Sequence, residues 1–201
     1  MKSQGDYYKE KLEETLKVLP DLPIVEIGTA GGTTAFYALE CLKKNNDKRW
    51  FFTIDPYGDK PYQAGGSILD SAMGYNDKLY AEMMKKLYSF AYENELSYLH
   101  WKLTSLDFMK IFPQIEFWSS EWVKLKPKFA WAFLDGDHSW NPVKEEFDFF
   151  YNHMPKGGVI CIDDFNLLEG ENEVRQRLNG YEGTWHFNYD DDHYRCYFTK
   201  T

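Results

Sequence analysis

Carboxylates close two of the most apolar runs in the sequence. FAWAFLDGDHSW (129–140) delivers Asp135, Asp137 and His138 after an uncharged stretch, and GGVICIDDFN (157–166) passes from Val159 through Ile162 into Asp163 and Asp164. Side chains of these types support two kinds of chemistry. Oxygen donors that converge suit a hard divalent cation such as Mg²⁺, and a carboxylate or imidazole beside a bound hydroxyl can take its proton. Bare convergence is unfavourable, since like charges about 4 Å apart repel by about 4 kcal/mol at an effective dielectric of about 20. A cation removes that cost; solvated strand ends, or Asp163 and Asp164 capping a following loop, avoid it.

A second chemistry-bearing stretch is VEIGTAGGTTA (25–35). A strand ending at Gly28 and a helix beginning near Thr33 let backbone approach a ligand closely. The spacing Glu26-x-Gly28-x-x-x-Gly32 is not G-x-G-x-x-G, because position 30 is Ala, and the absence of GK[ST] excludes P-loop chemistry. Asp55 ends the next apolar run, where an acid can hold ribose hydroxyls. Ser105, in KLTSLDF, is either a base contact or a helix N-cap. Trp140 is a pocket wall or a core aromatic. Tyr57, Tyr62 and AGGS (64–67) form a lid or an unstructured excursion. NYDDDHY (188–194) imitates a metal cluster, but a hairpin turn explains it better.

The elements that must position these residues alternate. Apolar strands are predicted at 23–28, 49–55, 96–103, 129–135 and 158–163. Helices are predicted at 6–18, 33–44, 76–94, 105–112, 141–154 and 171–179, and a hairpin at 184–189 and 193–199. Continuous apolar strands alternating with helices give an α/β, Rossmann-like doubly wound sheet, mostly parallel, with an antiparallel C-terminal hairpin strand. Ligands then sit at the carboxyl ends of the strands. Asp55, Asp135, Asp163, Asp164 and the glycine-rich turn all fall at that end. Residues 1–201 read as one domain, with an N-terminal helix within 1–20 and a possible lid at 56–75.

Taken together, VEIGTAGG and TIDPYGD resemble the S-adenosylmethionine (SAM) site of class I methyltransferases over roughly residues 23–199. LDGDHSW followed by GGVICIDDF is similar to the metal-dependent O-methyltransferases, above all the macrocin type acting on sugar hydroxyls, and more distantly to catechol O-methyltransferase. The resemblance implies cofactor contacts at Glu26, Gly28, Gly32, Thr33, Asp55, Ser105 and Asp135. It implies Mg²⁺ or another divalent cation on Asp135, Asp163 and Asp164, the last standing where catechol O-methyltransferase has Asn. It also implies Asp137 as general base; His138, whose imidazole titrates nearer neutrality, is the competing base. The expected activity is methylation of a hydroxyl on a sugar or small glycosylated metabolite. A phenolic diol, an NAD-dependent oxidoreductase and a non-catalytic SAM-binding protein are the alternatives.

Composition narrows the partners. A net charge of −9 argues against a general nucleic-acid binder. Aromatics make up 18% of the chain, enough to fill a core and line a pocket. Exposed ones offer a homodimer interface that nothing in the sequence locates. Cys41, Cys161 and Cys196 are far apart with no CxxC pair, which fits a reducing compartment. There is no apolar leader and no run of about 18 apolar residues. The expectation is a soluble cytoplasmic enzyme that does not engage membranes.

Overall fold

The central strands form where apolar and β-branched residues dominate, and the two C-terminal ones alternate them with polar residues. They are β1 (Ile24–Ile27), β2 (Phe51–Ile54), β3 (Tyr98–Trp101), β4 (Trp131–Leu134), β5 (Val159–Ile162), β6 (Gly183–Asn188) and β7 (Arg195–Lys200). The computed structural model describes residues 4–19, 22–58, 62–64, 67–69, 76–114, 117–118, 124–125, 128–189 and 194–201. The central part of the expected 188–194 turn, and much of the expected 56–75 lid, lie outside these residues. Two short antiparallel ladders, Tyr62–Ala64 with Ser67–Leu69 and Phe117–Trp118 with Lys124–Leu125, stand apart from the main sheet.

The seven-stranded sheet has the order β6-β7-β5-β4-β1-β2-β3. β1 to β5 are mutually parallel and in matching register, so Ile24 lies between Phe51 and Trp131 and Ile27 between Ile54 and Leu134. β7 runs antiparallel to both β5 and β6, as the hairpin reading expects. Strand order reverses at β1. The crevice there is where an open α/β sheet takes its ligand.

Alternate residues of each strand face opposite layers, which is why β1, β2, β4 and β5 are buried at every position. One layer holds α1 (Gln4–Val18), α2 (Thr33–Lys44) and α3 (Asp77–Glu93), whose Leu12, Leu39 and Leu87 meet Ile24, Phe51 and Phe133. The other holds α4 (Ser105–Ile111), α5 (Trp140–Asn152) and α6 (Glu171–Arg177), whose Phe108, Phe147 and Val174 join the cluster of Val25, Phe52 and Ala132. Arg49 ties the end of α1 to the start of the sheet. Its buried guanidinium donates to the carbonyls of Leu16, Leu19 and Leu22 and pairs with Asp47.

Candidate active site

The glycine-rich turn is held by one carboxylate. Asp55 Oδ2 accepts the backbone N–H groups of Thr29 and Ala30, each at 3.0 Å, and Oδ1 accepts that of Tyr57 at 3.0 Å. The Tyr57 hydroxyl closes the loop by donating to the Ala30 carbonyl at 2.5 Å. Burial raises the Asp55 carboxyl while these backbone bonds pull it down. The side chain expected to hold ribose therefore first fixes the turn; only Oδ1 retains acceptor capacity. Gly28, at φ +84°, meets the Asp135 carbonyl so closely that a Cβ would stand 1.9 Å from it. Gly32 begins α2 at φ +71° against Leu87 and Met83.

These turns enclose a cavity of about 320 Å³ at the carboxyl ends of β1, β2 and β4, lined by Gly28, Ala30, Asp55, Tyr57, Ser105, Asp135, Asp137 and Glu146 among others. Of the residues expected to hold a cofactor, Gly28, Asp55, Ser105 and Asp135 are on its wall. Glu26 is not: it is buried on β1, and burial pushes its carboxyl well above the ordinary range, with the Arg195 charge opposing. Gly32 and Thr33 lie at the helix start away from the cavity lining. Ser105 is not the N-cap of α4; Thr104 is, accepting from Asp107 N.

Asp137 lines the cavity, and its Oδ1 accepts from the backbone N–H and hydroxyl of Ser139 at 2.9 and 2.7 Å. This fixes the carboxylate and leaves Oδ2 for a proton. His138 is buried behind it, with Nε2 3.7 Å from Asp135 Oδ1. Trp140, half-buried, packs against the core cluster and under the Arg177 guanidinium, the bland alternative for that residue. A wider surface trough of about 780 Å³ beside α1 and α2 is crossed by the Lys9–Glu40 and Lys44–Glu13 ion pairs and holds none of these groups.

The expected metal cradle does not assemble. Asp163 is buried, and both its oxygens are engaged by Arg195, Nε to Oδ1 at 2.8 Å and Nη2 to Oδ2 at 3.2 Å. The antiparallel register explains this: Cys196 pairs with Ile162, so the preceding residue of β7 stands beside the residue following β5. Asp164 adopts a left-handed backbone, φ 46°, that starts a 3₁₀ turn at Phe165–Leu168. Asp135 feels burial and the Asp163 and Glu26 charges, which raise its carboxyl, while Arg195 opposes them. Among the described residues no group of three His, Cys, Asp or Glu side chains is placed to hold a metal ion. The positive charge that offsets this acid cluster is a guanidinium, and the donor set as arranged does not fit Mg²⁺.

A family profile described as methyltransferase domain (Methyltransf_24) matches residues 25–165, from the first residues of β1 to the turn after β5. The chain belongs to that methyltransferase family. The solved structures agree on the fold. The calicheamicin methyltransferase CalS11 superposes with a TM-score of 0.67 at 14% identity, covering 96% of this chain and 77% of CalS11. The O-methyltransferase NovP gives 0.62 at 14%, covering 98% and 79%. The O-methyltransferase TomG from Streptomyces achromogenes, solved with SAM, gives 0.59 at 13%, covering 98% and 81%. Among curated proteins, uncharacterized protein R132 of Acanthamoeba polyphaga mimivirus is 36% identical over 47 residues, 23% of this chain and 21% of its own length.

One wall residue of this methyltransferase escaped the sequence reading. Glu146 occupies an inward position of α5 with Val143, Phe147 and Phe150. It is 1% exposed, and neither carboxyl oxygen has a hydrogen-bond partner. The signal was legible: position 146 falls on the apolar stripe of 141–154, where an acid contradicts the helical pattern.

Proposed function

We propose that this methyltransferase transfers a methyl group from SAM to a hydroxyl of a sugar or small glycosylated metabolite. The observation that carries this reading is the cavity at the strand-order reversal, which brings the Asp55-anchored glycine turn and the fixed Asp137 carboxylate to one wall. Its volume is in the range of small-molecule sites. Both carboxyl oxygens of its lining residue Glu146 are without partners and fit a polar ligand. CalS11, whose fold this chain shares, is described as a TDP-rhamnose 3′-O-methyltransferase, which favours a sugar over a phenolic acceptor.

When bound, SAM supplies an electrophilic methyl group on sulfur. The chain's own residues do the rest. Gly28 and Ala30 admit the ligand to the backbone, and Asp55 Oδ1 is free to take one ribose hydroxyl. Asp137 Oδ2 takes the proton from the acceptor hydroxyl as the new O–CH₃ bond forms, while Ser139 holds the other oxygen still. Orienting the two reactants contributes further. His138, with Nε2 3.7 Å from Asp135 Oδ1, is the competing base. Two of the three acids expected to hold a cation keep roles without one: Asp163 balances Arg195, and Asp135 shapes the wall.

The test is a panel of nucleotide sugars, glycosides and catechols incubated with the purified protein and SAM, with methylated product read by mass spectrometry. Methylation of a sugar hydroxyl, abolished in Asp137→Asn with retained S-adenosylhomocysteine (SAH) binding, is expected. Exclusive methylation of catechols would overturn the acceptor assignment.

A further inference from the structure

The cavity wall contains an acid with no task in methyl transfer. Glu146 reaches it from α5, beside Ser105 and Leu106 at the start of α4. A buried carboxyl left without a hydrogen bond costs stability. A helix that places one between Val143 and Phe150 retains it against that cost. The partner is therefore to be sought among ligands of the cavity.

The surroundings define that ligand. Ile54, Pro56, Leu106 and Pro142 give the cavity wall an apolar character suited to a flat ring. Burial, reinforced by the Asp137 and Glu145 charges, pushes the Glu146 carboxyl up to about 8; the neighbouring Ser105 hydroxyl opposes this, near the carboxyl but outside hydrogen-bond geometry. Near neutrality it is protonated and presents one donor beside one acceptor. An amidine-like edge, an amino group adjacent to a ring nitrogen, is the complement of that pair. Adenine carries such an edge at its exocyclic amine and N1.

We infer that Glu146 reads the base of the nucleoside cofactor, accepting from the exocyclic amine of adenine and donating to the adjacent ring nitrogen. This rests on the SAM reading of the cavity. It assigns base specificity to α5, separate from the Asp55 turn and from Asp137.

Calorimetric titration compares SAH with its purine analogue lacking only the exocyclic amine. The wild-type protein should bind SAH about tenfold more tightly, the scale of one hydrogen bond to a buried partner. Glu146→Met should bind both equally weakly, yet melt at a higher temperature, because its apolar side chain replaces an unpartnered acid. A merely structural role would lower the melting temperature instead. Glu146→Gln, which offers the same donor and acceptor, should keep the preference. Equal binding of both compounds by the wild type, a preference retained in Glu146→Met, or a preference lost in Glu146→Gln would overturn the assignment while leaving the SAM reading intact. Failure of the folded wild-type protein to bind either compound would overturn both.

Discussion

Asp163 and Arg195 are each other's counter-charge, and removing either exposes the other. In Asp163→Ala the buried guanidinium loses both acceptors, for which a penalty of about 3–5 kcal/mol is expected. Urea denaturation measures it, and a loss below about 1 kcal/mol would show that Arg195 is otherwise balanced. Asp55→Asn tests the turn. One amide oxygen cannot replace two carboxylate oxygens that accept from three N–H groups, and its amide nitrogen opposes at least one of them. SAH affinity should fall at least about tenfold; unchanged affinity would remove Asp55 from the site. The acids at 135, 163 and 164 were legible as residues of the ligand-facing edge, but their partner was not. Arg195 lies on a strand whose register with β5 no local pattern specifies. Asp55 was legible as a site residue, but its loop-anchoring role depends on the left-handed Ala30 and Tyr57 that fold the backbone around it.

The elements themselves were nearly all readable. β1, β2, β4 and β5 are short, largely apolar runs ended by Gly or Asp, and the structure trims one or two residues from each end of their sequence bounds. α2 begins at Thr33 as expected, and α5 begins at Trp140, a residue before its proline-containing first turn suggests. Two glycines separate strain from crowding at this scale. Gly28 and Gly58 both have positive φ, but a Cβ on Gly28 would collide with the Asp135 backbone whereas Gly58 has no neighbour within 4 Å. Gly58→Ala should cost only about 1 kcal/mol, the left-handed penalty. Gly28→Ala should cost distinctly more and impair SAH binding, because β1 and β4 must part to admit the methyl group. Equal costs in thermal denaturation would contradict the close approach.

At the scale of the whole molecule, Glu26, Asp55, Asp135 and Glu146 are all held above the ordinary carboxylate range, chiefly by burial, and Glu146 titrates at about 8. Between that ordinary range and about pH 8 these four acids make the folded chain bind more protons than the unfolded one, and among the described residues only His100, pushed down to about 4 by burial, opposes them below about pH 6.5. Stability should therefore fall as pH rises across this window. Denaturation in urea at about pH 5.5 and about pH 8 checks the sign; a rise toward pH 8 would contradict the buried-acid account. Glu146→Met should flatten the slope. The central claim, that this acid-lined cavity is a nucleoside-cofactor site needing no divalent cation to form, is tested most directly by calorimetric titration of SAH into the purified protein, with Mg²⁺ and again with EDTA. The account predicts the same affinity in both. No binding in either would contradict it, and binding that appears only with Mg²⁺ would show that the Arg195–Asp163 pair yields to a cation after all.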